Sequence, residues 1–203
     1  MNKTSVRLLD FFWGPLMLSI RAAALVAAIV LAGPVHADDI LEALDQARKF
    51  YQAGDLAKAK QSADLASQLI GQRNAESFVA LLPQPLPGWK ADDAKTSAVG
   101  STAFGASQAR RNYTNTNGDQ VDIQITGDSA MIAQLAPIMA NPQIAGAMGK
   151  IVRVGNQRAI QNPQGDIHVL VANKFLVVVT GSAPAAAKMS YAQAIDFARL
   201  STM

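Results

Sequence analysis

The stretch RNYTNTNGDQVDIQI, residues 111–125, decides the fold class. Asn117-Gly118 stands between a polar run, Arg111 to Thr116, and Val121-Asp122-Ile123-Gln124-Ile125, where apolar and polar residues alternate. Asn-Gly adopts the positive φ angles of a tight hairpin turn, and a period of two marks a strand with one wet face. A β-hairpin is expected here, with Val121, Ile123 and Ile125 facing a core and Gln124 facing solvent.

Downstream the pattern continues. Four strands are expected at 150–154, 157–161, 166–172 and 175–180, separated by Gly155-Asn156, Asn162-Pro163-Gln164-Gly165 and Asn173-Lys174. Phe175-Leu176-Val177-Val178-Val179 is apolar at every position, as in a central strand covered on both faces. Before these strands, Asp128 is a candidate cap for a helix carrying Met131, Ile132, Leu135, Ile138 and Met139. Pro137 should kink that helix and Asn141-Pro142 end it. Ser190 with Gln193 reads as the capping box of a last helix carrying Tyr191, Ala194, Ile195 and Ala198.

Upstream the period is helical. Ile40, Leu41, Leu44, Ala47 and Tyr51 form one stripe, and Leu56, Ala59, Ala63, Ala66 and Ile70 a second. Gly54-Asp55 separates them, with Asp55 as N-cap and Gly71 as candidate C-cap. Phe78, Val79, Leu81 and Leu82 continue as a short helical segment. Pro83, Pro85 and Pro87 then alternate before Gly88, which reads as a stiff boundary. The expected fold is α+β: a helical hairpin (38–82), a Pro-rich linker (83–88), and a mostly antiparallel sheet of six or seven strands flanked by helices (89–203). The hairpin is expected to cover the sheet face that the two later helices leave open.

The N-terminus reads as an address. Residues 22–32 are an apolar run preceded by Arg21, too short to span a bilayer, and Gly33-Pro34 breaks it. Val35-His36-Ala37 then suits a signal peptidase, so residues 1–37 are expected to be a cleaved signal peptide. Met17 offers a neater start, with Met-Leu-Ser-Ile-Arg leading directly into the apolar run. Cleavage removes Lys3, Arg7, Arg21 and Asp10, taking 18 basic and 15 acidic residues to 15 and 14. The near-neutral mature chain gives no support to a nucleic-acid partner. Cysteine is absent, which excludes disulfides, thiolate catalysis, zinc ribbons and iron–sulfur clusters. Export without cysteine fits a bacterial protein, periplasmic or secreted, better than a eukaryotic secreted one.

Phe50, Gly54, Asp55, Ala59 and Ala66 have the spacing of the second half of a tetratricopeptide unit, so the hairpin resembles a single such unit. Gln46 and Ala47 stand where that motif has Leu-Gly, its leading Trp is missing, and no second copy follows. The order β-β-α-β-β-β-β-α resembles the antiparallel sandwich of the Mog1/PsbP type. Leu81-Leu82-Pro83-Gln84-Pro85-Leu86-Pro87-Gly88-Trp89 resembles uncharacterised secreted bacterial proteins. None of these resemblances implies an activity.

Residues with chemical potential are few. His168 is the only histidine beyond the leader, and a Ser–His–Asp site would have to be built on it. Gly105-Ala106-Ser107-Gln108-Ala109 mimics a nucleophile elbow, but a strand follows where the elbow needs a helix. Asn115-Thr116-Asn117-Gly118-Asp119 mimics the front of a calcium loop, whose glutamate position falls on Thr126. Met131, Met139 and Met148 raise copper, against the commoner use of methionine as core filling. Asp92, Asp93, Asp119, Asp122 and Asp128 supply carboxylates without an obvious apolar pocket. Gly146-Ala147-Met148-Gly149-Lys150 lacks the P-loop spacing. Arg110-Arg111 beside Tyr113 suits an anion, or an edge strand with one exposed and one core-edge side chain. No catalytic, cofactor or metal residue is therefore assigned. The expectation is a non-enzymatic extracytoplasmic binding or accessory protein whose partner is another envelope protein. The alternatives are a small-ligand carrier with a pocket between sheet and helices, and a hydrolase using carboxylates or Ser107.

Overall fold

The computed structural model describes residues 37–99, 106–127 and 129–203. The expected signal peptide, but for Ala37, lies outside them, as do the alternative start at Met17, Gly105 and Asp128. Helix α1 (Ala37–Gln52) and helix α2 (Leu56–Val79) form the expected hairpin. Gly54 turns the chain at φ +78°, and the Asp55 carboxylate accepts from Lys58 N–H at 3.1 Å. Ala43, Ala59, Ser62 and Ala66 are buried, and their small side chains let the two helices approach closely. Gly71 is not a C-cap. Helix α2 runs through it to Val79, and a Cβ there would lie 3.2 Å from Ala98 Cβ, so the glycine admits the sheet rather than ending the helix.

The sheet contains β1 (Trp89–Ala91), β2 (Lys95–Val99), β3 (Ala106–Asn115), β4 (Gln120–Gly127), β5 (Lys150–Val154), β6 (Gln157–Gln161), β7 (Ile167–Val171) and β8 (Phe175–Thr180). Its order is β1-β3-β4-β8-β7-β6-β5, antiparallel throughout, with β2 also paired to β3. Eight strands therefore fill seven positions, because β1 and β2 share one side of β3. Strand β8 is central, as its composition implies. Strand β3 is not an edge: it is flanked on both sides.

Register separates the two faces. Ala109, Ile125, Val177 and Val169 lie in line across four strands and are all buried. On the other face the line is Arg110, Gln124, Val178, His168, Ile160 and Ile151. The core lies on the first face. It is completed by Phe78, Leu81 and Leu82 at the end of the hairpin, and by Tyr191, Ile195, Phe197 and Leu200 from α5 (Ala185–Gln193) and α6 (Phe197–Ser201).

This corrects the expected division of faces. The hairpin shares a face with the C-terminal helices, because Phe78 sits edge-on to Phe175 (centroids 5.7 Å, 83°) over Gly127. Helices α3 (Ala130–Ala140) and α4 (Pro142–Met148) serve the second face, where Leu176 and Val178 are only half-buried. The proline segment is fastened at both ends: Tyr113 Oη donates to Pro83 O at 2.7 Å, and Leu86 N–H donates to Tyr191 Oη at 3.2 Å.

Two caps also differ from expectation. Ser129 caps α3, accepting from Met131 N–H, and Asn141 both ends α3 and caps α4. Ser190 caps nothing: it lies within α5 and its hydroxyl donates to Ala186 O. Pro184 already supplies the φ (−55°) that admits the helix, and Asp196 caps a separate α6 through Arg199 N–H at 2.9 Å.

Candidate functional site

The hairpin presents the clearest open surface. Helix α1 packs on α2, and its outward stripe keeps Leu41, Leu44 and Tyr51 exposed at 61%, 46% and 68%. Leu56, Leu65 and Ile70 of α2 are open as well. Arg48, seven positions after Leu41 and three before Tyr51, lies within the stripe and pairs with Asp45 at 3.1 Å, and on α2 Lys58 pairs with Asp55 at 2.9 Å. Lys58 also lies 5.5 Å from the Phe50 ring, and its hydrogen bonds to Asp55 hold that carboxyl below its ordinary pKa. Exposed apolar side chains gathered on one side of a helix suit a protein-docking face.

The residues considered for chemistry fall apart in space. Ser107 is buried on the core face, whereas His168 lies on the opposite face, so the sheet itself stands between nucleophile and base. Burial lowers the His168 pKa, partly offset by Asp166. Asn115 and Asp119 are engaged in their own turn: Asn115 Oδ1 accepts from Asn117 and Asp119 N–H, and Asn115 Nδ2 donates to Asp119 Oδ2. Of the methionines, Met131 and Met148 are exposed and do not fill the core, while Met139 is half-buried. Gly149 ends α4 where a Cβ would meet Gln161 O at 2.3 Å, so the glycine there answers to β6. Asp92, Asp93, Lys95, Arg110, Asn112 and Asp122 line a charged cleft of about 170 Å³. In it Arg110 Nε reaches both Asp122 oxygens at 2.7 Å. Among the described residues no cluster of three or more metal-ligating His, Cys, Asp or Glu occurs.

Asn162-Pro163-Gln164-Gly165 is the expected turn between β6 and β7, but two features escaped the sequence reading. The first is that this turn closes through Asp166 with bonds also found in Asn115–Asp119: Asn162 Oδ1 accepts from Asp166 N–H, and Asn162 Nδ2 donates to Asp166 Oδ2. The repeated Asn-x-x-Gly-Asp spacing was available as a signal. The second feature is Lys188, a charged residue 1% exposed on α5, whose ammonium donates to Asp166 Oδ1 and to the carbonyls of Gln164 and Gly181. Nothing local in the sequence marks it, since its acceptors come from two separate turns.

Two hollows adjoin helices. One of about 200 Å³ beside α3 is lined by Met139, Arg158, Ile160, His168, Leu170 and Asn173. The other, of about 440 Å³, lies between the β5–β6 turn and α5–α6. No family model, curated protein or solved structure matches the chain. The functional reading rests on the chain's own geometry.

Proposed function

We propose that this is a non-enzymatic extracytoplasmic binding or accessory protein that engages another envelope protein through its helical hairpin. The supporting observation is the open stripe Leu41, Leu44 and Tyr51 on a helix whose other side packs on α2. Uncovered apolar side chains gain when a partner removes them from water, at about 25 cal/mol per Å² before association costs. The leader-like N-terminus supports export, and no helix among the described residues is long and apolar enough to cross a membrane. The test is cross-linking in envelope extract with the wild-type protein and a Leu41→Glu/Leu44→Glu variant of unchanged urea midpoint. Loss of a specific adduct in the variant supports the reading. Identical adducts, or none with either protein, overturn it.

A small-ligand carrier is the second reading, favoured by the 440 Å³ hollow, whose polar groups include Asn156, Gln157, Gln193 and Asp196. These four come from a turn, the start of β6 and helix ends, and three of them are exposed while Gln157 is half-buried, so they hold no buried polar anchor for a ligand.

A further inference from the structure

We propose that α3, α4 and the adjoining β5–β6 ribbon form a docking surface for an anionic lipid bilayer. Residues 129–149 contain no charged side chain, a run of 21 positions. Helix α3 keeps Ile132 and Ala136 buried, and α4 keeps Ala145 buried. Their outer sides carry Met131, Ile138, Ile144 and Met148, exposed between 40% and 54%, and Ile151 of β5, the strand that follows α4, is 41% exposed. Met131 and Ile138 are seven positions apart and Ile144 and Met148 four, so each pair shares one side of its helix. An open apolar cluster of this kind on a soluble fold marks a surface that becomes covered.

The charge around the cluster selects what covers it. Residues 150–161 contain Lys150, Arg153 and Arg158 and no carboxylate. Arg153 lies directly across from Arg158 in the ladder, on the same sheet face as Ile151 and Ile160. Lys174 lies in the turn between β7 and β8, next to Asn173, which lines the hollow that Arg158 and Met139 also line. Apolar side chains bordered by cations fit headgroups that are negative above an acyl interior.

The polar inventory favours lipid over protein. Within residues 129–149 the side chains able to hydrogen-bond are Ser129, Gln134, Asn141 and Gln143. Ser129 and Asn141 are engaged as caps. A protein interface uses about one hydrogen bond per 100–200 Å², whereas an acyl layer asks for none. Eleven- and seven-residue helices are too short to cross a bilayer, so they would lie in its interface.

The test is co-sedimentation of the exported protein with vesicles containing phosphatidylglycerol and with vesicles of phosphatidylcholine alone. Wild type and variants carry the same N-terminus, so differences among them report the surface itself. Binding to the anionic vesicles that weakens with salt is expected. Arg153→Gln should lower it about fivefold, and Met131→Ser/Ile144→Ser at least tenfold, with urea midpoints near wild type. Leu41→Glu should leave it unchanged, which separates this surface from the hairpin. Equal binding to both vesicle types, wild-type binding by the double variant, or capture of an acidic protein without vesicle binding would each overturn the proposal.

Discussion

Lys188 Nζ stands 2.6 Å from Asp166 Oδ1, and only 2% of the Lys188 side chain is exposed. The ammonium also takes Gln164 O and Gly181 O, so one buried cation ties α5 to the β6–β7 turn and to the end of β8. Asp166→Asn removes the charge partner and leaves a buried cation on neutral acceptors, at a cost of about 3–5 kcal/mol. Lys188→Met removes the cation but strands the acceptors and should cost less. Burial alone would raise the Asp166 pKa, but hydrogen bonds from Lys188 and Asn162 hold it below its ordinary value. A depressed folded-state carboxyl stabilises above its unfolded pKa and loses that contribution as pH falls through its folded pKa. Urea midpoints between pH 5 and pH 2 should fall more steeply in wild type than in Asp166→Asn; parallel profiles would contradict this.

Tyr113 predicts the opposite limb. Burial pushes its phenol up to about 12, against an ordinary 10, with Arg111 opposing. A raised folded-state phenol contributes fully below pH 10 and is lost as pH rises from 10 towards 12, with about 2 kcal/mol at stake. Tyr113→Phe deprives Pro83 O of its donor and should cost about 1–2 kcal/mol at neutral pH. It should also flatten the alkaline fall. An unchanged alkaline limb in Tyr113→Phe would assign it to another group.

The sheet faces make a third test. Val177 is fully buried and Phe175 nearly so, whereas Gln124 is half-buried on the second face in register with Arg110. Phe175→Asp and Val177→Asp each place an unpaired charge in the core and should prevent folding. Gln124→Asp adds a carboxylate beside Arg110 and should change the urea midpoint little. Matching midpoints for Gln124→Asp and Val177→Asp would invert the faces.

How far these positions were legible depends on whether the signal was local. Asn117-Gly118 and the alternation at Val121, Ile123 and Ile125 carry their own turn and period, and the hairpin, the strands and the central place of β8 follow. Gly71 misled because a glycine that ends a helix and one that admits a neighbouring strand look alike until Ala98 is known to pass there. Ser190 has the spacing of a capping box, but Pro184 and Asp196 had already divided that segment. Strand β2 is short and polar, and only its partner β3 makes it a strand. The open hairpin stripe was visible as periodicity. Its exposure was not, because that depends on where Phe78 anchors the far end of α2.

The joint between hairpin and sheet yields the last prediction. A chain of residues 89–203 should be less stable than residues 38–203, though for a different reason from a bared second face. The lost segment contains Phe78, Leu81 and Leu82, all buried in the same core as Ile125 and Val177. Fully burying such a side chain contributes about 1.5–3 kcal/mol, an upper bound that compact unfolded states reduce. Truncation also leaves Tyr113 Oη without Pro83 O and Tyr191 Oη without Leu86 N–H, two further groups that must find water. Against a total stability of about 5–15 kcal/mol, a loss of several kcal/mol brings the shorter chain close to unfolding. Trp89 supplies a second readout, because its ring stands edge-on to Tyr191 at 5.3 Å and becomes the first residue of the shorter chain. Its emission should shift to the red as that end loosens. Coincident urea midpoints and identical Trp89 emission would mean that α2 contributes nothing to the core and that the hairpin is an independent arm.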